Sequence, residues 1–453
     1  MAVESNSVRL AKLREAGNSG TAASARLKNL FDNGEFTVID AYVNGGNTGV
    51  IAAYGFIEGN PVYAYSQDVT VNGGAVNKAH ADKICKVLDL AAETGAPVVS
   101  IFDSNGGFID SGAEILNAYG DILMRTGNLS GVVPQISVVA GVCAGTAALV
   151  ACSSDFVICT KDAELFANVS ADNTSAENAA KNGMAQLVCE DDNEAMIQAR
   201  KLVSMLPSNN LAPVPVFEFS ANTAPCAGDA ETMAFAVADD SSIVELSADF
   251  GTAAYTALAS VGGMTVGIAA TNKSDSRLTS DDCVKLARFV RTCDAFAVPV
   301  ITFVDTEGFD GADAVRDMTK LAHAYAEATT VKLAVVTGKA YGAAFIALAG
   351  KNANSDMTFA YSDATISPVA PVTAVEFLMH DKLRGAEDVK AKRSELTAEY
   401  AREHASAFDA ADKAAVNDII LPSETRGKLV SALDILSFKR VSRMPKKHSN
   451  IQL

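Results

Sequence analysis

The chain matches itself about two hundred residues further on, and this limits the fold more than any other feature of the sequence. Gly95-Ala96-Pro97-Val98-Val99-Ser100-Ile101-Phe102-Asp103 is answered by Ala297-Val298-Pro299-Val300-Ile301-Thr302-Phe303-Val304-Asp305, an offset of 305 − 103 = 202. Lys83 falls on Lys285 at the same offset, and Gly107-Phe108 falls on Gly308-Phe309 at 308 − 107 = 201. Gly145 falls on Gly342 at 342 − 145 = 197, and Asp155-Phe156-Val157 on Asp356-Met357-Thr358 at 356 − 155 = 201. Offsets this steady mark a tandem duplication, one unit built twice with small loop differences. At 453 residues the chain is too long for one core and fits two domains of roughly 200 residues. The join is expected in the Ala-, Pro- and Asn-rich stretch 209–240, which divides the chain into 1–225 and 226–453.

Each copy reads as α/β. Residues 8–32 have a helical apolar face (Leu10, Leu13, Leu27, Leu30, Phe31) around a break at Gly17–Gly20, and Phe36 to Asp68 runs in short β segments between Gly-rich turns. A helix is expected from about Asn77, with His80, Ile84, Val87, Leu88 and Ala91 on one face, stopped by Gly95 and Pro97. The apolar strand Val98–Phe102 follows. Apolar strands alternating with helices indicate a parallel sheet covered on both faces.

The duplicated stretch with most chemical content is Val138-Val139-Ala140-Gly141-Val142-Cys143-Ala144-Gly145-Thr146-Ala147-Ala148-Leu149, repeated as Val335-Val336-Thr337-Gly338-Lys339-Ala340-Tyr341-Gly342-Ala343-Ala344-Phe345-Ile346. A buried strand that ends in glycines and opens a small-residue helix leaves backbone N–H groups unpaired. Pro134, Gln135, Ser137, Gly141 and Gly145 interrupt the apolar run from Gly131 to Cys152, which reads as strand plus helix and not as a membrane span. A second glycine-rich turn, Asp103–Gly112 in one copy and Asp305–Asp310 in the other, follows the neighbouring strand. Two such turns at one sheet edge can form an oxyanion hole, amides preset around an oxygen that gains charge. Side-chain catalysts are scarce: the five histidines are scattered, and no Gly-x-Ser-x-Gly or Gly-x-Gly-x-x-Gly motif accompanies them. The net charge of −17 argues against a nucleic-acid surface. Eight cysteines without a Cys-x-x-Cys pair imply a reduced, cytoplasmic protein with no structural metal, and the N-terminus lacks an apolar signal core.

The run Tyr63-Ala64-Tyr65-Ser66-Gln67-Asp68-Val69-Thr70-Val71-Asn72-Gly73-Gly74-Ala75, with His80-Ala81-Asp82-Lys83-Ile84-Cys85-Lys86, resembles the biotin-dependent acyl-CoA carboxyltransferases. So do Val133-Pro134-Gln135-Ile136-Ser137 and Cys143-Ala144-Gly145. In the second copy the likeness rests on Ala287-Arg288-Phe289-Val290-Arg291, Gly308-Phe309, Ala324-Tyr325-Ala326-Glu327-Ala328-Thr329 and Lys339-Ala340-Tyr341-Gly342. The ending Lys446-Lys447-His448-Ser449-Asn450-Ile451-Gln452-Leu453 is also close to the family's.

The resemblance implies two tandem crotonase-like (ClpP/crotonase) domains, with an active site where the first domain of one subunit faces the second domain of another. Acyl-CoA would lie on the first, against Gly106, Gly107, Cys143 and Ala144, its thioester oxygen held by amides at Gly145 and Thr146. Biotin on a separate carrier protein would lie on the second, against Gly308, Phe309, Tyr341, Gly342 and Ile346, its ureido oxygen held at Ala343 and Ala344. An apolar Ile346 suits a short, uncharged acyl group. Implied partners are a biotin carboxyl carrier protein, a biotin carboxylase or membrane decarboxylase subunit, and further copies in a dimer-built hexamer. Such a chain is cytoplasmic, or peripheral to a membrane complex. The sequence leaves the direction open between an acyl-CoA carboxylase and a sodium-pumping decarboxylase. The family's Asp-Ser-Gly-Gly-Ala-Arg becomes Asp103-Ser104-Asn105-Gly106-Gly107-Phe108; Glu307 replaces a common proline; Thr146 and Ala343 replace glycines. These departures add a third reading, a CoA-binding scaffold without activity.

Overall fold

Short β-branched runs separated by tight turns open the first copy. β1 (Phe36–Ile39), β2 (Val50–Ile57) and β3 (Asn60–Gln67) pair antiparallel, and Glu58 and Gly59, both at positive φ, close the β2–β3 hairpin. Asn77 then caps the helix Lys78–Thr94 by accepting the His80 amide, and Gly95, left-handed at φ 67°, ends it. The expected face, His80, Ile84, Val87, Leu88 and Ala91, is the buried one. From β3 onward the sheet is parallel: β4 (Val98–Ser104), β5 (Gln135–Ala144), β6 (Phe156–Thr160) and β8 (Leu187–Cys189) follow in the order β1-β2-β3-β4-β5-β6-β8. A short β7 (Glu164–Phe166) pairs with the carboxyl end of β5. The structure is a computed structural model; it describes residues 20–441 except 169, 312 and 313, together with 5–8, 10, 11, 445–448 and 450. Leu13 and the Gly17 break, and much of the family-like ending, lie outside the described residues. The described part of the expected first helix is Ala22–Leu30.

The second copy repeats the path. β9 (Val244–Glu245), β10 (Ala254–Val261), β11 (Met264–Thr271), β13 (Val300–Thr306), β15 (Lys332–Tyr341), β16 (Met357–Tyr361) and β18 (Asp418–Ile420) form a sheet in that order, with β17 (Thr365–Ser367) on the end of β15. Apart from it, β12 (Arg277–Leu278) pairs with β14 (Gly308–Phe309), in the place where the first copy has a single bridge, Val76 to Gly107. A buried lysine does one job twice. Lys83 Nζ donates to Val50 O at 3.1 Å and Lys285 Nζ to Ala254 O at 2.8 Å, each the first residue of the strand it braces. Burial lowers the pKa of both ammonium groups, that of Lys285 to about 8.

Each copy has its own core: Tyr65, Phe102, Val139 and Val157 in the first, Tyr255, Ile268, Phe303 and Phe359 in the second. Burying a side chain of this size contributes about 1.5–3 kcal/mol. The second copy also has a satellite cluster (Val375, Leu383, Leu396, Tyr400) between the helices Pro371–Leu378 and Val389–His404, which the sequence pattern did not announce. The chain divides into Met1–Pro215 and Val216–Leu453, so the boundary expected at 225/226 lies 225 − 215 = 10 residues earlier. The cause is local: Val216 bridges Met264, and the Phe217 amide donates to Gly263 O at 2.7 Å, which ties this stretch to the β10–β11 hairpin.

Candidate active site

In both copies the two central parallel strands end on the same construction. Asp103, near the end of β4, packs against Gly141 of β5, where a Cβ would lie 2.3 Å from its Oδ1; Asp305 packs against Gly338 at the same 2.3 Å. Any side chain there would displace the carboxylate, so both positions require glycine. One residue on, Ser104 Oγ accepts the Gly106 N–H at 3.1 Å and donates to Gly106 O, and Thr306 Oγ1 does the same for Gly308, both at 3.1 Å. The Phe108 N–H donates to Val76 O and the Asp310 N–H to Leu278 O, each at 2.8 Å.

These bonds correct the sequence alignment of the loop. Gly106 corresponds to Gly308 (308 − 106 = 202), Gly107 to Phe309 and Phe108 to Asp310, so the expected offset of 201 is one residue short. Hydrogen bonding sets the loop register, and the shared Gly-Phe dipeptide is not its landmark. The skeleton also survives the departures at Asn105, Phe108 and Thr146. Phe108 joins it through its backbone, and Thr146 is the first residue of an ordinary helix, Thr146–Cys152.

The first copy's two turns meet. A Cβ on Gly106, at φ 99°, would lie 3.1 Å from Ala144 O. Cys143 and Ala144 are buried beneath them, and burial raises the pKa of the Cys143 thiol, so it stays protonated. Gly145, at φ 64°, opens the helix, and its N–H donates to Phe166 O of β7 at 2.8 Å. This changes the expected donor set. The Gly145 amide is already used, and the helix geometry leaves the amides of Thr146 and Ala147 without an intrahelical acceptor. In the second copy Gly342, at φ 48°, begins the helix Gly342–Leu348; Tyr341 and Phe309 are half-buried, Ala343 is exposed and Ala344 buried. A Cβ on Gly342 would lie 2.7 Å from Pro368 O, whereas one on Gly145 meets nothing within 4 Å. Ile346 is 58% exposed on that helix.

The electrostatic surroundings of the two copies differ. Buried Arg26, from the helix Ala22–Leu30, donates from Nη1 to Asp103 Oδ2 (2.8 Å), from Nη2 to Ala140 O (3.0 Å) and from Nε to Asp192 Oδ2 (2.7 Å). It thereby fixes the ends of β4 and β5 together. Among the described residues Asp305 has no guanidinium partner; Asn272 Nδ2 donates to its Oδ2 at 2.7 Å and the Lys339 amide to its Oδ1 at 2.8 Å. The sequence reading missed Arg26 and Asn272. A cation between Ala23 and Leu27 on a buried helix face was the available signal for the first; nothing marked the second. His80 is fully buried, with Nε2 3.4 Å from Gln67 Nε2, and Gln67 Oε1 accepts the Asp103 amide at 3.2 Å. Burial lowers its pKa to about 3, so the imidazole is a neutral strut and not an acid or base at neutral pH. A 310 Å³ cavity in the second unit, lined by Glu231, Phe235, Asp240, Glu245 and Tyr255 among others, includes no residue of either turn. Among the described residues no group of His, Cys, Asp and Glu is placed to hold a metal ion.

Residues 18–451 match the carboxyl transferase domain family. The chain belongs to that family. Other members are similar along most of their length. The methylmalonyl-CoA decarboxylase subunit alpha of Propionigenium modestum is 34% identical over 95% of this chain and 93% of its own. The propionyl-CoA carboxylase carboxyltransferase subunit of Haloferax mediterranei is 34% identical over 89% of this chain and 86% of its own. A transcarboxylase 12S hexamer core, solved with methylmalonyl-coenzyme A and methylmalonic acid bound, superposes with a TM-score of 0.90 at 31% identity over 98% of this chain and 94% of its own. A single-chain long-chain acyl-CoA carboxylase, 23% identical with a TM-score of 0.79, shares the fold. The carboxyl transferase fold of two tandem crotonase-like domains is the fold of this chain.

Proposed function

We propose that the chain is a carboxyltransferase subunit that moves a carboxyl group between carboxybiotin on a separate carrier protein and a short-chain acyl-CoA of the propionyl type. The observation that carries this reading is the twice-built pair of turns, with unspent amides at the start of each helix and no titratable catalyst among them. On the first copy the amides of Thr146 and Ala147, left without an intrahelical acceptor, suit a thioester oxygen that becomes an enolate. Such a hole stabilises charge without proton transfer from the protein, which agrees with the neutral, buried His80. On the second copy Ala343 and Ala344 lie in the first turn of the helix Gly342–Leu348, beside the half-buried Tyr341 and Phe309, a partly apolar cradle that fits a ureido ring. Carboxybiotin, when bound, supplies the carboxyl group and a ring nitrogen able to take up the α-proton. Each copy holds its own oxygen on preset amides, which lowers the barrier by pre-set orientation.

A second reading runs the same reaction toward biotin, as one subunit of a membrane decarboxylase. The 34% identity to a methylmalonyl-CoA decarboxylase alpha subunit supports it. No helix among the described residues is long and apolar enough to cross a membrane, so in that setting the chain would sit at the periphery, on a membrane subunit. Assembly as a homo-oligomer, by analogy with the transcarboxylase hexamer, belongs to either reading.

The test is exchange of label between carboxylated and free biotin across a panel of acyl-CoAs, with propionyl-CoA expected to be active. Gly145→Ala strains a positive-φ position but meets no neighbour, so it should fold, and by turning the adjacent Thr146 amide off its aim it should lower kcat roughly 10²-fold. Gly342→Ala is no match for it, because it strikes a backbone carbonyl; Ala343→Val is the fair partner and should impair reaction with biotin. CoA binding without exchange for any acyl-CoA would refute the proposal.

A further inference from the structure

The second copy carries an ion pair across its two turns that the first copy lacks. Lys339 Nζ lies 2.6 Å from Glu307 Oε1, and Arg277 Nε lies 3.8 Å from Glu307 Oε2. By the structural offsets the first-copy counterparts are Asn105 (307 − 202) and Val142 (339 − 197), both uncharged. Glu307 stands directly before Gly308, and Lys339 follows Gly338 on the strand that leads to Tyr341 and Gly342, so the pair borders the cradle proposed for biotin. The Lys339 backbone is fixed by its N–H bond to Asp305 Oδ1. The other oxygen of Asp305 is taken by Asn272, so that carboxylate has its own partners and does not compete for Nζ. Lys339 Nζ and Glu307 are both partly exposed, and such pairs open at little cost.

We propose that Lys339 is the carboxylate-binding group of the second copy, and that Glu307 is an internal stand-in for the ligand's carboxylate, displaced when a carboxylated ring arrives. The exchange replaces one N⁺–H···O⁻ hydrogen bond with another of the same kind, and Arg277 remains beside Glu307 to receive it. This gives the second copy a preference for the charged form of its ligand over the uncharged ring. No charge in the corresponding place on the first copy offers the same discrimination. The inference rests on the proposed function and specifies which form of biotin the site favours.

The test compares the KM for carboxylated biotin methyl ester as donor with the KM for biotin methyl ester as acceptor, using the full chain and propionyl- or methylmalonyl-CoA as the second substrate. Lys339→Met should raise the donor KM about tenfold, the loss expected for one charge-assisted hydrogen bond, and leave the acceptor KM within about twofold. Glu307→Gln should lower the donor KM about threefold, since the competitor is gone. If Lys339→Met shifts both KM values together, the lysine merely holds the turn and the inference is wrong. A donor KM that rises in Glu307→Gln would also overturn it. If the unaltered chain reacts with neither ester under any acyl-CoA, the proposed function itself fails, and this inference with it.

Discussion

The two copies share a backbone and differ in what braces it. Both have the Asp–Gly contact, the hydroxyl that closes the loop on a glycine, and the buried lysine on the first residue of the second strand. What surrounds them has diverged. Asp103 is held by a buried guanidinium, Asp305 by a neutral amide; His80 occupies the position that Asp282 fills in the second copy (282 − 80 = 202). Both follow an N-cap, Asn77 or Thr279, and Asp282 accepts from the Thr279 and Ala254 amides, while His80 has no carboxylate partner among the described residues. The backbone shape is common to both copies, and the braces around it are interchangeable chemistry, so the charge beside the turns is free to differ.

This contrast can be broken by measurement. Arg26→Met should have the largest effect. It leaves Asp103, 14% exposed, without its cation and frees Ala140 O, which should cost about 3 kcal/mol in urea unfolding. The value sits at the low end of the usual range because Asp192 is 38% exposed and finds water. A loss below about 1 kcal/mol would mean that the clamp does not hold the strand ends. His80 provides the next effect, on pH dependence. Its folded pKa, about 3, lies below the unfolded 6.5, so its contribution is fully present above pH 6.5 and is lost as pH falls toward 3. The slope approaches about 1.4 kcal/mol per pH unit, and His80→Asn should flatten that part of the acid limb. An unchanged limb would show that the imidazole is solvated. Asn272→Ala, the second copy's equivalent of the Arg26 change, should cost only about 1–2 kcal/mol, because the Lys339 amide still holds Asp305. Equal losses for Arg26→Met and Asn272→Ala would erase the distinction drawn between the copies. Glu307→Gln should change stability by less than about 0.5 kcal/mol, whatever it does to KM.

The repeated sheet was legible in the sequence because parallel strands buried on both faces leave apolar runs that align with one another, as Val98–Phe102 does with Val300–Val304. The glycines at 141 and 338 were visible as residues, but their reason, an aspartate from the neighbouring strand, was not. Loop register was misread by one because the dipeptide identity outweighed a Ser/Thr pair whose hydroxyls set the turn. Gly145 was assigned a free amide, since no local pattern announces that β7 will accept its proton. Arg26 lies 77 residues from Asp103 and 166 from Asp192, distances over which sequence carries no pairing information without the fold.

Arg26 also bears on how the chain reaches its fold. β4 and β13 share an apolar pattern that ends in Asp103 and Asp305, so each offers a similar edge during folding, and a duplicated domain risks pairing the wrong copy. The Asp–Gly contact cannot discriminate, because both copies satisfy it equally. Arg26 can: its three acceptors, Asp103, Ala140 and Asp192, all belong to the first copy and come together only when β4 lies beside its own β5. Removing Arg26 should slow refolding and increase aggregation beyond what the loss of stability alone accounts for, as a comparison with Asn272→Ala at matched stability would reveal.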